Sequence, residues 1–260
     1  MEVPYVELLG DLSKDRIDKI IALLKRVYGD WNQLQGKLFP KPLPSNEAGS
    51  SMETYPGPEK CQRRYLWTDA FGILTFANLV ETNPSVSIEY IDAGKRLIEA
   101  TRATLGNPRG KEFPMRVDEN GKHLGLRIGK VLARPSSSDA GMTFDGMYWH
   151  YIDKWIFSLL RFGQAAKIKE YIVEAAQTAK ELHPFFFSSA AKNRGVGGYH
   201  WKLTSDLKHI PGLPESPSPN DDTISALIVY AAIEAEINRG LFDFRKKIGS
   251  LHHISTLHIR

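Results

Sequence analysis

The chain has 260 residues, 42% of them hydrophobic and 25% charged, with a formal net charge of +4. That mix excludes a disordered or fibrous chain. The small basic excess is dispersed among acids and forms no arm or stripe for nucleic acid, and Cys61 as sole cysteine leaves no internal disulfide.

The start, MEVPYVELLGDLSKD, lacks a basic region followed by an apolar run. No apolar run reaches the ~18–20 residues that a membrane span needs. A soluble, cytoplasmic protein without a membrane partner is therefore expected.

A first helix is predicted over 14–27, with Ser13 able to cap it and Ile17, Ile20, Ile21, Leu24 and Val27 on one face. Residues 36–60 are rich in Pro, Gly and Ser and read as a loop. The next helix, over 65–80, is apolar nearly all round, as inner helices are. Asn83-Pro84 then opens an amphipathic helix that Gly106 stops.

Residues 106–143 read as irregular, with a turn at 118–121 and an extended piece or hairpin in HLGLRIGKVLARP. A second inner helix is predicted from Asp145 to Gly163, followed by an amphipathic one over 165–182. A strand-like YHWKLTS (199–205) and the Pro-rich IPGLPESPSPNDD precede a third inner helix over 223–238. The tail, 241–260, is irregular; its His252, His253 and His258 form only a weak metal motif.

The predicted class is therefore all-α: stacked αα-hairpins with a few short strands in loops, in one domain over 1–240. Inner helices starting at a common mouth would gather the polar residues at their starts. These are Arg64, Trp67 and Asp69 in RRYLWTDA, Asp145, Tyr148, His150, Asp153 and Lys154 in DGMYWHYIDKW, Trp201 and Lys202 in YHWK, and Asp221 and Asp222 in PNDD.

Each has a plain structural reading beside the functional one. Asp69, Asp145, Asp221 and Asp222 suit helix caps or first-turn dipole partners. His150 suits a hydrogen-bonded core position, and Arg127 in GLRIGK a structural carboxylate partner. Together, flat Trp and Tyr faces with carboxylates and a His suit carbohydrate. Two carboxylates serve glycosidic cleavage, whereas His chemistry serves proton transfer at carbon, as in epimerisation. No nucleophile elbow, Walker loop, dinucleotide fingerprint, HExxH or CxxC is present.

RYLWTDAFG, GLRIGK, the DGxYWHYxxKW block and HWK together resemble a largely uncharacterised family with a six-hairpin glycosidase-like fold, over about residues 63–235. The resemblance implies an (α/α)6 toroid related to glycoside hydrolases, polysaccharide lyases and sugar epimerases. It implies no set reaction. Arg64, Trp67, Asp69, Arg127, Asp145, Tyr148, His150, Lys154, Trp201 and Lys202 match its motif positions. Asn220-Asp221-Asp222 departs from it, lacking the family's adjoining His and Gly.

Twelve helices of about 11–12 residues need well over 300 residues, so a shortened, partial toroid is expected, with self-association as one consequence. The expected site has Asp69, Asp145 and His150 as catalytic groups. Arg64, Trp67, Arg127, Tyr148, Trp201, Lys202, Asp221 and Asp222 bind a carbohydrate or sugar acid. No metal or cofactor is expected. A helical scaffold that binds a protein partner is the alternative.

Overall fold

A computed structural model describes residues 14–32, 39–41, 64–109, 114–130, 144–188, 198–210 and 221–238. Helix accounts for 67% of them. The six α-helices are α1 (Lys14–Tyr28), α2 (Leu66–Thr82), α3 (Ser87–Leu105), α4 (Trp149–Ala166), α5 (Lys169–Phe186) and α6 (Asp221–Asn238). Most of the predicted 36–60 loop, Cys61, the 211–220 Pro-rich stretch and the 241–260 tail lie outside the described residues.

Two helical hairpins, α2/α3 and α4/α5, stack through α2 against α4, and α6 packs on α4 and α5. The inner character of α2 comes from its sequence. Leu66, Ile73 and Phe76 are fully buried, each side chain contributing about 1.5–3 kcal/mol over an exposed one. In α3 the Ala93, Leu97 and Ile98 face is buried while Glu89 and Lys95 stay outside, the pattern of an outer helix. One hydrophobic cluster runs through all six helices.

Several boundaries shift for local reasons. Pro84 begins a short 3-10 turn (Pro84–Val86) before α3 starts at Ser87. Gly163 does not end α4. A Cβ there would lie 2.6 Å from Ile172 Cγ1, so this glycine admits α5 at close range. The helix stops three residues later, where Lys167 turns left-handed (φ 57°) and its N–H returns to Gln164 and Gly163.

Among the described residues, 124–130 form no β-strand, and Gly125 (φ 68°) and Gly129 (φ 84°) turn the chain within them. Their backbone binds helix ends and the stretch before α4 instead. Arg127 N donates to Leu105 O, Leu66 N to Ile128 O, and Ile128 N to Gly146 O. Among the described residues the expected hairpin shows as one bridge, Val117 to His123, around a turn held by the Asp118 carboxylate; residues 131–135 of that segment lie outside them. Strands β1 (Met147–Tyr148) and β4 (Lys202–Leu203) pair antiparallel, as do β2 (Phe187–Ser188) and β3 (Gly198–Tyr199).

Through these contacts α2, α4 and α6 all start at one end. Ile128 links the starts of α2 and α4, and Asp222 of α6 lies beside His150 of α4. Among the described residues, no helix is long and apolar enough to cross a membrane.

Candidate functional site

His150 occupies the second position of α4, where it is half-exposed among rings. Trp67 of α2 lies 5.9 Å from it centroid to centroid, Tyr148 5.9 Å and Tyr151 4.7 Å. Trp201 adds a further ring, 6.2 Å from Tyr148. Trp67 and Trp201 keep exposed surface, while Tyr148 is buried. These near-perpendicular and tilted contacts suit aromatic quadrupoles and leave indole surface at the rim.

Asp222, the second residue of α6, faces His150: Oδ1 lies 3.7 Å from Nδ1. Its pKa is pushed up to about 7, first by burial and then by the Asp153 charge, with Asp221 adding and Lys154 opposing. Burial lowers the His150 pKa, and the Lys154 ammonium lowers it further. At neutral pH the imidazole is thus uncharged, and the carboxyl is close to half protonated. One polar group at this rim can accept a proton while its neighbour can give one.

The other expected site residues lie elsewhere. Asp69 is fully enclosed and caps nothing. Its carboxylate meets Arg64 Nε at 3.2 Å and accepts from Thr101 Oγ1 at 3.0 Å. Burial lifts its pKa to about 6 against the pull of Arg64, Thr101 and Tyr28. Asp145 precedes α4 by four residues and caps nothing either. It accepts from Arg127 Nη1 at 2.7 Å and from Gly129 N at 2.8 Å.

Arg127 also donates to the carbonyls of Thr104 (2.6 Å) and Asn107 (3.0 Å) at the end of α3, where helix carbonyls otherwise lack donors. Arg64 and Lys202 are both 2% exposed. The Lys202 ammonium lies 4.0 Å from the Trp201 ring centroid. Arg64, Asp69, Arg127, Asp145 and Lys202 are therefore packed behind the rim, and Trp67, Tyr148, His150, Trp201 and Asp222 form it. Asp221 is exposed beside them at the start of α6.

Three further residues belong to this region. Tyr65 and Tyr151 join their hydroxyls beneath Trp67. Ser225 of α6 bonds Asp153 and Lys154 of α4. The sequence signal for Ser225 is spacing alone, three residues after Asp222, as Asp153 is three after His150; Tyr65 and Tyr151 carry no such signal.

Away from the rim, a groove of about 370 Å³ opens on the outer side, lined by Lys122, His123, Trp155 and Glu181 among others. Its Arg102 and Glu174 are paired with each other. Among the described residues, no group of three or more His, Cys, Asp or Glu is placed to hold a metal ion. In comparisons with known proteins, no family model, no curated protein and no solved structure matches this chain.

Proposed function

We propose that the chain acts on carbohydrate by acid–base chemistry at the start of its inner helices, with His150 as base and Asp222 as acid. The observation that carries this is the His150–Asp222 pair, 3.7 Å apart and ringed by Trp67, Tyr148 and Trp201. Indole faces stack on the C–H faces of sugar rings. The neutral imidazole takes a proton from a carbon of the substrate, and the protonated carboxyl gives one back, to the departing oxygen in an elimination or to that carbon from the other face in an epimerisation.

An adjacent His–Asp pair fits proton transfer, as in an epimerase or lyase, better than two-carboxylate hydrolysis, whose groups stand ~5–10 Å apart. Asp69 and Asp145, the expected carboxylates, are ion-paired behind the rim and take no catalytic step in this proposal. A sugar-acid clamp by Arg127 or Lys202 is likewise set aside, since the Arg127 guanidinium is taken up by Asp145 and the Thr104 and Asn107 carbonyls and the Lys202 ammonium lies against the Trp201 ring. Closure of the inner layer into an (α/α)6 toroid belongs to the proposal too.

The test is saccharide binding by ligand-observed NMR and turnover on a panel of neutral and acidic sugars. His150→Ala and Asp222→Asn, each checked for wild-type circular dichroism, are expected to abolish turnover. Trp67→Ala is expected to weaken binding about tenfold or more, the loss of one stacking platform. Unchanged binding and turnover in all three variants would sink the assignment.

The pH profile has a defined sign. The working form has neutral His150 and protonated Asp222. Activity therefore rises as pH climbs through the lowered His150 value and falls as pH passes about 7, where Asp222 ionises.

One observation favours a second reading, a helical scaffold that associates with its own kind. Ile224, Leu227 and Ile228 form an exposed apolar stripe on α6, at spacing that puts them on one helix face.

A further inference from the structure

Asp153 is the fully buried carboxylate of α4, and neither the acid nor the base role uses it. Lys154 Nζ donates to its two oxygens at 3.1 and 3.0 Å. Ser225 Oγ of α6 donates its single hydrogen to Asp153 Oδ2 and accepts from Lys154 Nζ at 3.2 Å. One ion pair on α4 is thereby tied to one hydroxyl on α6.

The tie and the rim pair share the same two helices at the same interval. His150 to Asp153 is one turn of α4, and Asp222 to Ser225 is one turn of α6. We propose that Asp153, locked by Ser225 and Lys154, is a positioning residue that fixes Asp222 opposite His150 and governs which of the two carries the proton. This rests on reading that pair as the working acid and base.

Two physical effects follow from the geometry. The first is mechanical. Near the rim, α6 is pinned to α4 through Ser225; at the far end Gln164 Nε2 donates to Glu236 Oε2 at 2.5 Å. The first turn of α6 therefore cannot drift from His150 without breaking a charge-assisted, part-buried hydrogen bond.

The second effect is electrical. Asp153 opposes a second negative charge on Asp222, and exposed Asp221 does so too. Lys154 acts in the opposite sense on Asp222 and also opposes a positive charge on His150. The groups that α2 and β1 present there, Trp67 and Tyr148, are uncharged. Among the described residues, the charges that act on this pair belong to α4 and α6, while the Lys202 ammonium of β4 lies against the Trp201 and Tyr148 rings.

The experiment is an NMR titration of the full chain, reading the Asp222 carboxyl carbon and the His150 ring, with no substrate present. Asp153→Asn is expected to lower the Asp222 midpoint by roughly one pH unit. Lys154→Met is expected to raise both the Asp222 and the His150 midpoints. A merely structural role would not move Asp222 in opposite directions in the two variants.

Ser225→Ala keeps both charges and removes the tie. It is expected to lose cross-peaks between the first turns of α4 and α6. If Asp153→Asn fails to fold, Lys154→Met and Ser225→Ala still decide. Shifts of one sign in both charge variants, no shift in Lys154→Met, or intact cross-peaks in Ser225→Ala would overturn the proposal. Loss of saccharide turnover in the His150 and Asp222 variants is a separate outcome. The titration can fail while the carbohydrate reading stands, and the reverse.

Discussion

Asp145 and Asp69 meet burial in two different ways. Asp145 gains a guanidinium and a backbone N–H, which offset part of what burial costs its charge. Truncating it strands Arg127 as an unpaired buried cation. Asp145→Ala is expected to lose about 3–5 kcal/mol of stability, read from denaturant unfolding; a loss under 1 kcal/mol would mean that Arg127 escapes to water.

Asp69 is less well compensated, and its pKa stays near 6, above the ~3.9 of an unfolded chain. A raised carboxyl contributes stability that is complete below the unfolded value and is lost as pH rises through about 6. Asp69→Asn should remove this slope. The wild-type denaturation midpoint is expected to fall relative to the variant between about pH 4 and pH 6, and parallel curves would refute it.

Helical hairpins were readable from the chain because apolar residues recur at helical spacing and glycines and prolines punctuate them. Ile17, Ile20, Ile21 and Leu24 announce α1, and the nearly all-apolar 66–80 stretch announces an inner helix. Periodicity gives a face and not a neighbour, however. Arg127 and Asp145 are 18 residues apart, and Lys154 and Ser225 are 71 apart. Both pairings exist only once loops and helices dock.

For the same reason the sequence leaves Asp69 open to cap or cavity and favours a cap for Asp145, and neither reading names the arginine that encloses each. Trp67, His150 and Asp222 stand in the first turns of α2, α4 and α6, and Trp201 stands between β3 and β4; the sequence places each of them without giving the contacts between them. Helix spacing also has a steric side. A Cβ at Gly94 of α3 would sit 2.3 Å from Phe162 of α4. Gly94→Ala is expected to push the hairpins apart, costing about 1–3 kcal/mol and lowering the melting temperature by several degrees. An unchanged or higher melting temperature would show that Phe162 moves aside freely.

Among the described residues, α6 carries three exposed apolar side chains at helical spacing, Ile224 and Ile228 each 60% exposed and Leu227 44% exposed. If copies associate through it, light scattering should give a dimer mass for the wild type and a monomer mass for Leu227→Glu. A wild-type monomer at tens of micromolar would end the self-association reading.

The 124–130 segment has a different consequence. Ile128 accepts from the first residue of α2 through its carbonyl and donates ahead of α4 through its amide. Gly129 beside it has φ 84°, and a Cβ there would strike Arg64 O at 2.1 Å. The gap between the start of α2 and the stretch leading into α4 is thus bridged by the main chain of one residue. Side chains around it can change identity without resetting the spacing of these two helix starts. Widening it takes an inserted residue, because no substitution lengthens a peptide bond.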